Sequence, residues 1–135
     1  FIVDDQNTDL VARIRKLTGI GADHVFEAVG KRALQQAAID YCCPGGQITY
    51  VGLDGADAKI ALETTKITRA EKTITGSMYG SACTDRDFRI FAEKYLEGKL
   101  PIDNVISRDY SIYKINEGIK DLLSGKPGRG MISFT

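Results

Sequence analysis

The sequence is poor in the residues that build metal centres and disulfide frameworks. It holds a single histidine, His24, and three cysteines, Cys42, Cys43 and Cys83. One histidine and an adjacent cysteine pair assemble no metal-ligand spacing, so no metal site is expected. The odd cysteine count argues against a disulfide framework and points to a reduced, cytoplasmic setting. An excess of one charge is lacking as well. Lys plus Arg and Asp plus Glu both number 18, for a net charge of zero. With no basic surplus to release counterions, neither nucleic acid nor an anionic membrane is expected as the main partner. No apolar run approaches the length of a membrane span. No signal peptide, internal repeat or low-complexity tract is read either.

What is present is ordinary for a globular protein: 135 residues, 43% hydrophobic and 27% charged, enough chain for a proper core. The opening "FIVDD", with no Met and already β-rich, reads as a chain entered in mid-domain.

Hydrophobic periodicity lays out the elements. "FIVDD" predicts a short strand. From Thr8, Leu10, Val11, Ile14 and Leu17 recur at helical spacing, with Asn7 as candidate N-cap and Gly19 and Gly21 as the stop. "ADHVFEAVG" predicts a buried strand closing on Gly30. "KRALQQAAIDYCC" predicts a helix with Ala33, Leu34, Ala37, Ala38 and Tyr41 inward, broken by Pro44, Gly45 and Gly46. "QITYVGL" is a third strand, "IALETTKIT" an extended piece and "KTITGSMYG" a fourth strand. Asp85 or Asp87 caps a helix carrying Phe88, Phe91, Ala92, Tyr95 and Leu96, which Gly98 ends. After Pro101, "NVISRDYSI" is extended, "YKINEGIKDLLSG" is a helix and "GRGMISFT" is a last strand. This rhythm is that of parallel βαβ units. The final strand, helix and strand either extend that sheet or form another layer.

"GIGADH" begins like a dinucleotide-binding glycine fingerprint but fails at His24. It also follows a helix and precedes a strand, the reverse of the order that aims helix amides at a pyrophosphate. The strand ends are better candidates, because ligands of open parallel sheets bind outside the carboxyl ends of the strands. Three successive strands end in "AVG" (28–30), "YVGL" (50–53) and "GSMYG" (76–80), each offering small residues and free backbone. The glycines around Met78 and Tyr79 fit either a plain turn or a main-chain wall pressed against a flat ligand.

The ordered set "DHVFEAVG", "CCPGGQITYVG", "TITGSMYG", "FAEKYLEGKLPIDNVIS" and "YSIYKINEGIKDLLSGKPGRGMISF" resembles the C-terminal part of the zinc-type medium-chain alcohol dehydrogenases, essentially from end to end. The resemblance implies an α/β fold: a partial Rossmann-like parallel sheet with flanking helices, plus a C-terminal strand-helix-strand segment. Residues 1–100 would be the second half of an NAD(P)-binding domain, and 101–135 a segment returning to the catalytic domain. It implies NAD or NADP as cofactor, lying across the strand ends. Val29 and Gly30 would line the nicotinamide-ribose side. The main chain of Val51, Gly52, Leu53, Ser77 and Tyr79 would bond the carboxamide, with Met78 in the same wall. Arg129, in "KPGRGM", would reach the pyrophosphate, as suits a guanidinium fork. Met78 and Tyr79 would also serve a two-fold contact, since the family's equivalent strand pairs across one, making a homo-oligomer the expectation.

The same resemblance sets the family's glycine fingerprint, its zinc ligands and its proton-relay hydroxyl upstream of Phe1. No catalytic residue and no metal ligand is therefore assigned here. The expectation is a C-terminal portion of an enzyme moving hydride between a small alcohol or aldehyde and nicotinamide, inactive alone, with an unpaired strand edge. Cys42 and Cys43 are expected to be inert thiols, and Glu27 to face the cofactor side without a catalytic role. Other readings stay open: a methyltransferase-like domain, to which "DHVFEAVG" followed by "CCPGGQI" is similar, a non-catalytic oligomerisation or binding module, and a zinc-independent reductase of the same superfamily.

Overall fold

In the computed structural model, which describes residues 9–126 and 128–134, the first helix starts where a side chain can cap it. Asp9 accepts a hydrogen bond from the Ala12 amide at 3.1 Å and opens α1 (Leu10–Thr18). The expected cap Asn7, like the "FIVDD" strand, lies outside the described residues. Gly19 ends the helix at φ 87°, a left-handed conformation that glycine adopts without penalty.

The chain divides into two units, Phe1–Ala82 and Cys83–Thr135. In the first, β1 (Ala22–Glu27), α2 (Arg32–Tyr41), β2 (Cys42–Tyr50), α3 (Thr64–Thr68) and β3 (Thr73–Gly76) follow in order. The strands form one parallel sheet in the order β1-β2-β3. This is the expected Rossmann-like α/β arrangement, with α2 as the crossover between β1 and β2. Among the described residues only β2 has a strand on both sides, which leaves an edge of β1 without a partner.

The core forms where α2 covers β2. Ile48 has no exposure at all, and Ala38, Ile39 and Cys42 are buried around it, with Val25, Leu62, Ile67 and Ile74 packed alongside. Ile39 belongs to that face and Ala33 is exposed, so the inward stripe of α2 is displaced from the one its alanines suggested.

Two local expectations are corrected. Cys42 and Cys43 begin β2 rather than end α2. Ala22 pairs with Cys42 and His24 with Gln47, so Pro44, Gly45 and Gly46 form a bulge inside the strand, tied down by the Gly45 amide donating to the Ala70 carbonyl at 2.7 Å. The helix ends at Tyr41 partly because the Lys72 ammonium satisfies the orphan carbonyls of Ile39 and Cys42, at 2.6 and 2.7 Å. That partner is thirty residues away in sequence. The second correction is that "IALETTKIT" is not extended throughout, since its second half forms α3. The last strand of this unit is also short. β3 stops at Gly76, and a 3₁₀ turn occupies Tyr79–Ser81.

The second unit contains α4 (Thr84–Leu96), β4 (Ile106–Ser111), α5 (Ile115–Leu123) and β5 (Arg129–Ser133). Cys83 is the N-cap of α4, and the expected cap Asp87 instead accepts from the Cys83 amide at 2.8 Å, reaching back as in a capping box. β4 and β5 pair in parallel as a separate two-stranded sheet with α5 as their crossover. Tyr110 is the buried residue here, at 7% exposure. Its hydroxyl donates to Asp121 on α5 at 2.8 Å, and its ring lies over Gly118 and Gly130, where a Cβ would stand 3.3 and 2.9 Å from ring carbons. Asp121 also accepts from Arg108 at 2.9 Å and from Lys126 at 2.6 Å. Glycine at these two positions lets the aromatic ring lie flat between helix and strand.

Candidate functional site: the carboxyl ends of the parallel strands

Three strands running the same way finish at the same edge of the first unit, and their ends are joined by backbone rather than by side chains. Glu27, the last residue of β1, is 5% exposed. Its carboxylate turns back on the chain that follows. Oε1 accepts from the Val29 amide at 3.0 Å and the Gly30 amide at 2.9 Å, and Oε2 accepts from Gly30 at 3.1 Å. Its own carbonyl accepts from the amides of Val51 and Gly52 at 2.8 and 2.9 Å. On the other side of β2, the Ser77 amide donates to the Tyr50 carbonyl at 2.9 Å.

Glycine is required where these ends meet. Gly30 has φ 82°, and a Cβ there would collide with the Leu53 carbonyl oxygen. A Cβ on Gly52 would collide with the Gly30 amide nitrogen and lie 2.7 Å from the Val29 carbonyl carbon. The two backbones therefore touch directly. Next to them Gln35 donates to the Gly52 carbonyl at 3.2 Å, and the Tyr50 hydroxyl donates to the Gln35 carbonyl at 2.8 Å. Burial, and secondarily the nearby Glu27 carboxylate, push the Tyr50 phenol above its ordinary pKa, so it stays protonated and keeps that bond.

A cavity of about 600 Å³ opens at this edge, lined by Tyr50, Val51, Gly52, Leu53, Ser77 and Met78 among others. Directly after Met78, which lines the cavity, the backbone is unusual. Tyr79, Gly80 and Ser81 all have positive φ, at 51°, 67° and 57°, a conformation that costs energy for the tyrosine and the serine. Tyr79 is 81% exposed, so its side chain does not explain the turn by packing within the described residues. Of the residues expected at a ligand site, Val29, Gly30, Val51, Gly52, Leu53, Ser77, Met78 and Tyr79 are thus brought to one edge of one sheet. Arg129 opens β5 in the other unit and is exposed.

Glu27 is the residue that sequence reasoning undervalued. An acidic side chain at the last position of a buried strand, directly before "AVG", was the available signal. Its carboxylate serves the backbone rather than solvent. His24 and Asp23 lie exposed on β1, and burial raises the Cys42 and Cys43 thiols above their ordinary pKa, consistent with unreactive sulfurs. Among the described residues no group of three or more His, Cys, Asp and Glu side chains could hold a metal ion. No helix among them is long and apolar enough to cross a membrane.

Comparison with known proteins identifies the family. The family model described as zinc-binding dehydrogenase matches residues 1–97. The chain belongs to the zinc-binding dehydrogenase family. It is 34% identical over 125 residues to putative alcohol dehydrogenase D of Mycobacterium tuberculosis, covering 90% of this chain and 34% of that protein. Benzyl alcohol dehydrogenase from Acinetobacter calcoaceticus superposes with a TM-score of 0.83 at 23% identity, over 96% of this chain and 36% of that one. A short chain alcohol dehydrogenase from Escherichia coli CFT073, complexed with NADH, superposes with a TM-score of 0.75 at 14% identity, over 98% and 38%. The chain thus spans about a third of the length of the zinc-binding dehydrogenase relatives it matches, and the match corresponds to their C-terminal part.

Proposed function

We propose that this chain forms the nicotinamide-facing part of an NAD(P)-dependent alcohol dehydrogenase, which in the whole enzyme moves hydride between a small alcohol or aldehyde and the cofactor. The observation that carries this reading is the set of backbone groups left open at the strand ends. A carboxamide offers two N–H donors and one carbonyl acceptor. Around the cavity the amides of Val51, Gly52 and Ser77 are already engaged, as is the Gly52 carbonyl. Among the described residues the carbonyls of Val51 and Ser77 and the amide of Tyr79 carry no internal hydrogen bond. Two acceptors and one donor match the carboxamide. The left-handed turn at Tyr79–Ser81 then has a purpose, because it aims main chain rather than side chain at a flat ring. Val29 and Gly30 lie at the adjoining strand end, on the ribose side, and Leu53 and Met78 supply apolar wall.

When bound, the nicotinamide ring supplies the hydride donor and acceptor. The residues of this chain bind and orient it. Arg129 is assigned to the pyrophosphate, residues 1–100 to the cofactor-binding domain and 101–135 to the segment that returns to the catalytic domain. A homo-oligomer in the cytoplasm completes the reading. The described residues contain no donor set for zinc.

Calorimetric titration of the chain with NADH, NADPH and reduced nicotinamide mononucleotide tests the proposal. Saturable binding of the mononucleotide, lost in Gly52→Val, is the expected result. Binding of S-adenosylmethionine in its place would overturn it.

A further inference from the structure

A buried carboxylate with no cationic partner is costly unless hydrogen bonds replace its lost water. Glu27 is such a group: its side-chain bonds run to the backbone amides of Val29 and Gly30, and no salt bridge of a described residue includes it. The position is telling. Glu27 is the last residue of β1 and stands opposite Tyr50, the last residue of β2. Its side chain fixes the turn after its own strand, while its carbonyl holds the amides of Val51 and Gly52 after the neighbouring strand. One residue therefore grips both chain segments on either side of the Gly30–Gly52 contact.

We propose that Glu27 is the positioning residue of the nicotinamide wall, holding the ends of β1 and β2 in the register that leaves the Val51 carbonyl open to the ligand. The inference rests on the functional reading above and goes beyond it, since Glu27 touches no ligand in that reading. A charged acceptor suits the task. It draws the amides of Val29 and Gly30 to one atom, and charge-assisted bonds of this kind are roughly twice as strong as neutral ones. It also occupies those two donors, so the ligand meets acceptors at this edge. A glutamine would keep the shape but turn an N–H group toward the same amides, leaving one of them opposed by a donor.

The test compares the 135-residue chain with Glu27→Gln. Reduced nicotinamide mononucleotide is the probe, and amide hydrogen exchange is read in the same samples without ligand. Expected are an affinity about tenfold weaker, as for loss of a charge-assisted bond, and faster exchange at Val29 and Gly30 with no change at Ile48. Ile48→Val is the control for stability alone: it should lower the unfolding midpoint and leave affinity unchanged. If Glu27→Gln does not fold, Glu27→Asp keeps the charge, shortens the reach, and should show the same two effects in weaker form. Unchanged exchange at Val29 and Gly30, or affinity that falls equally in Ile48→Val, overturns the proposal. A wild-type chain that ignores the mononucleotide sinks the functional reading instead, and exchange alone then decides whether Glu27 holds the strand ends.

Discussion

The two units solve the same problem, a parallel strand pair with a helical crossover, by different means. In the first, β2 runs through the middle of a three-stranded sheet and is covered by α2, so Ile48 is excluded from solvent completely. In the second, β4 and β5 form a sheet of two strands, and the apolar residues of α5 stay open, Leu123 at 81% exposure. Tyr110 is its buried centre, and a polar hub at Asp121 ties sheet, helix and the following loop together. A central strand makes a packed core possible. A pair of edge strands depends on specific polar contacts and on glycines that let one ring lie flat.

The sharpest way to break this contrast is Ile48→Ala. Removing a fully buried branched side chain should cost about 2–5 kcal/mol, read as a fall in the urea midpoint reported from the first unit by Tyr50. A loss no larger than that of a surface substitution would mean that the core is not centred where the burial places it. A smaller effect is expected from Asp121→Asn in the second unit. It removes the charge that Lys126 and Arg108 share and weakens the acceptor of the Tyr110 hydroxyl. The near-ultraviolet signal of Tyr110 should lose intensity, and the midpoint should fall by less than in Ile48→Ala.

Titration sharpens the same comparison. Hydrogen bonds from Lys126 and then Tyr110 hold the Asp121 carboxyl below its ordinary pKa of 3.8. Its contribution is therefore complete above that value and is lost as the pH falls through the lower, folded one. The bond to Asp121, followed by burial, raises the Tyr110 phenol above 10.0. That contribution is present below pH 10 and disappears as the pH rises through the folded pKa. The Tyr110 signal should thus weaken at both extremes, and in Asp121→Asn the acid limb should vanish. The smallest effect belongs to Lys66→Gln, which breaks exposed pairs with Asp40 and Glu63 at 2.8 Å each. Surface pairs of this kind contribute little, and the midpoint should move by no more than the error of the measurement.

Much of the first unit was legible because its signals are local. "ADHVFE" and "QITY" are short strand runs, Gly19 stops a helix, and the glycines at 30 and 52 mark the places where two strand ends meet. Cys42 and Cys43 were misread for the opposite reason. Their helix-like spacing after "AAIDY" was outweighed by Lys72, whose ammonium closes the helix from another part of the chain. "TTKIT", rich in β-branched residues, forms α3 despite its propensity, with Ile67 held against the core. The shared edge was legible as a set of positions, since three strand endings of one type announce one edge. Which of their backbone groups are free was not.

By itself, the sequence determined the parallel α/β rhythm, the family, and the residues where strands end against small neighbours. The rhythm and the strand ends follow from periodicity and from the few conformations open to glycine, which act within a handful of residues, whereas the family follows from a resemblance that runs the length of the chain. Only the tertiary structure decided that Glu27 turns inward to hold two strand ends, that Gly30 and Gly52 touch, and that Asp121 gathers three donors. The first depends on which backbone amides remain unpaired once the sheet has formed, and the other two on which residues the strand pairing brings side by side, and that is known only when every strand has its neighbour.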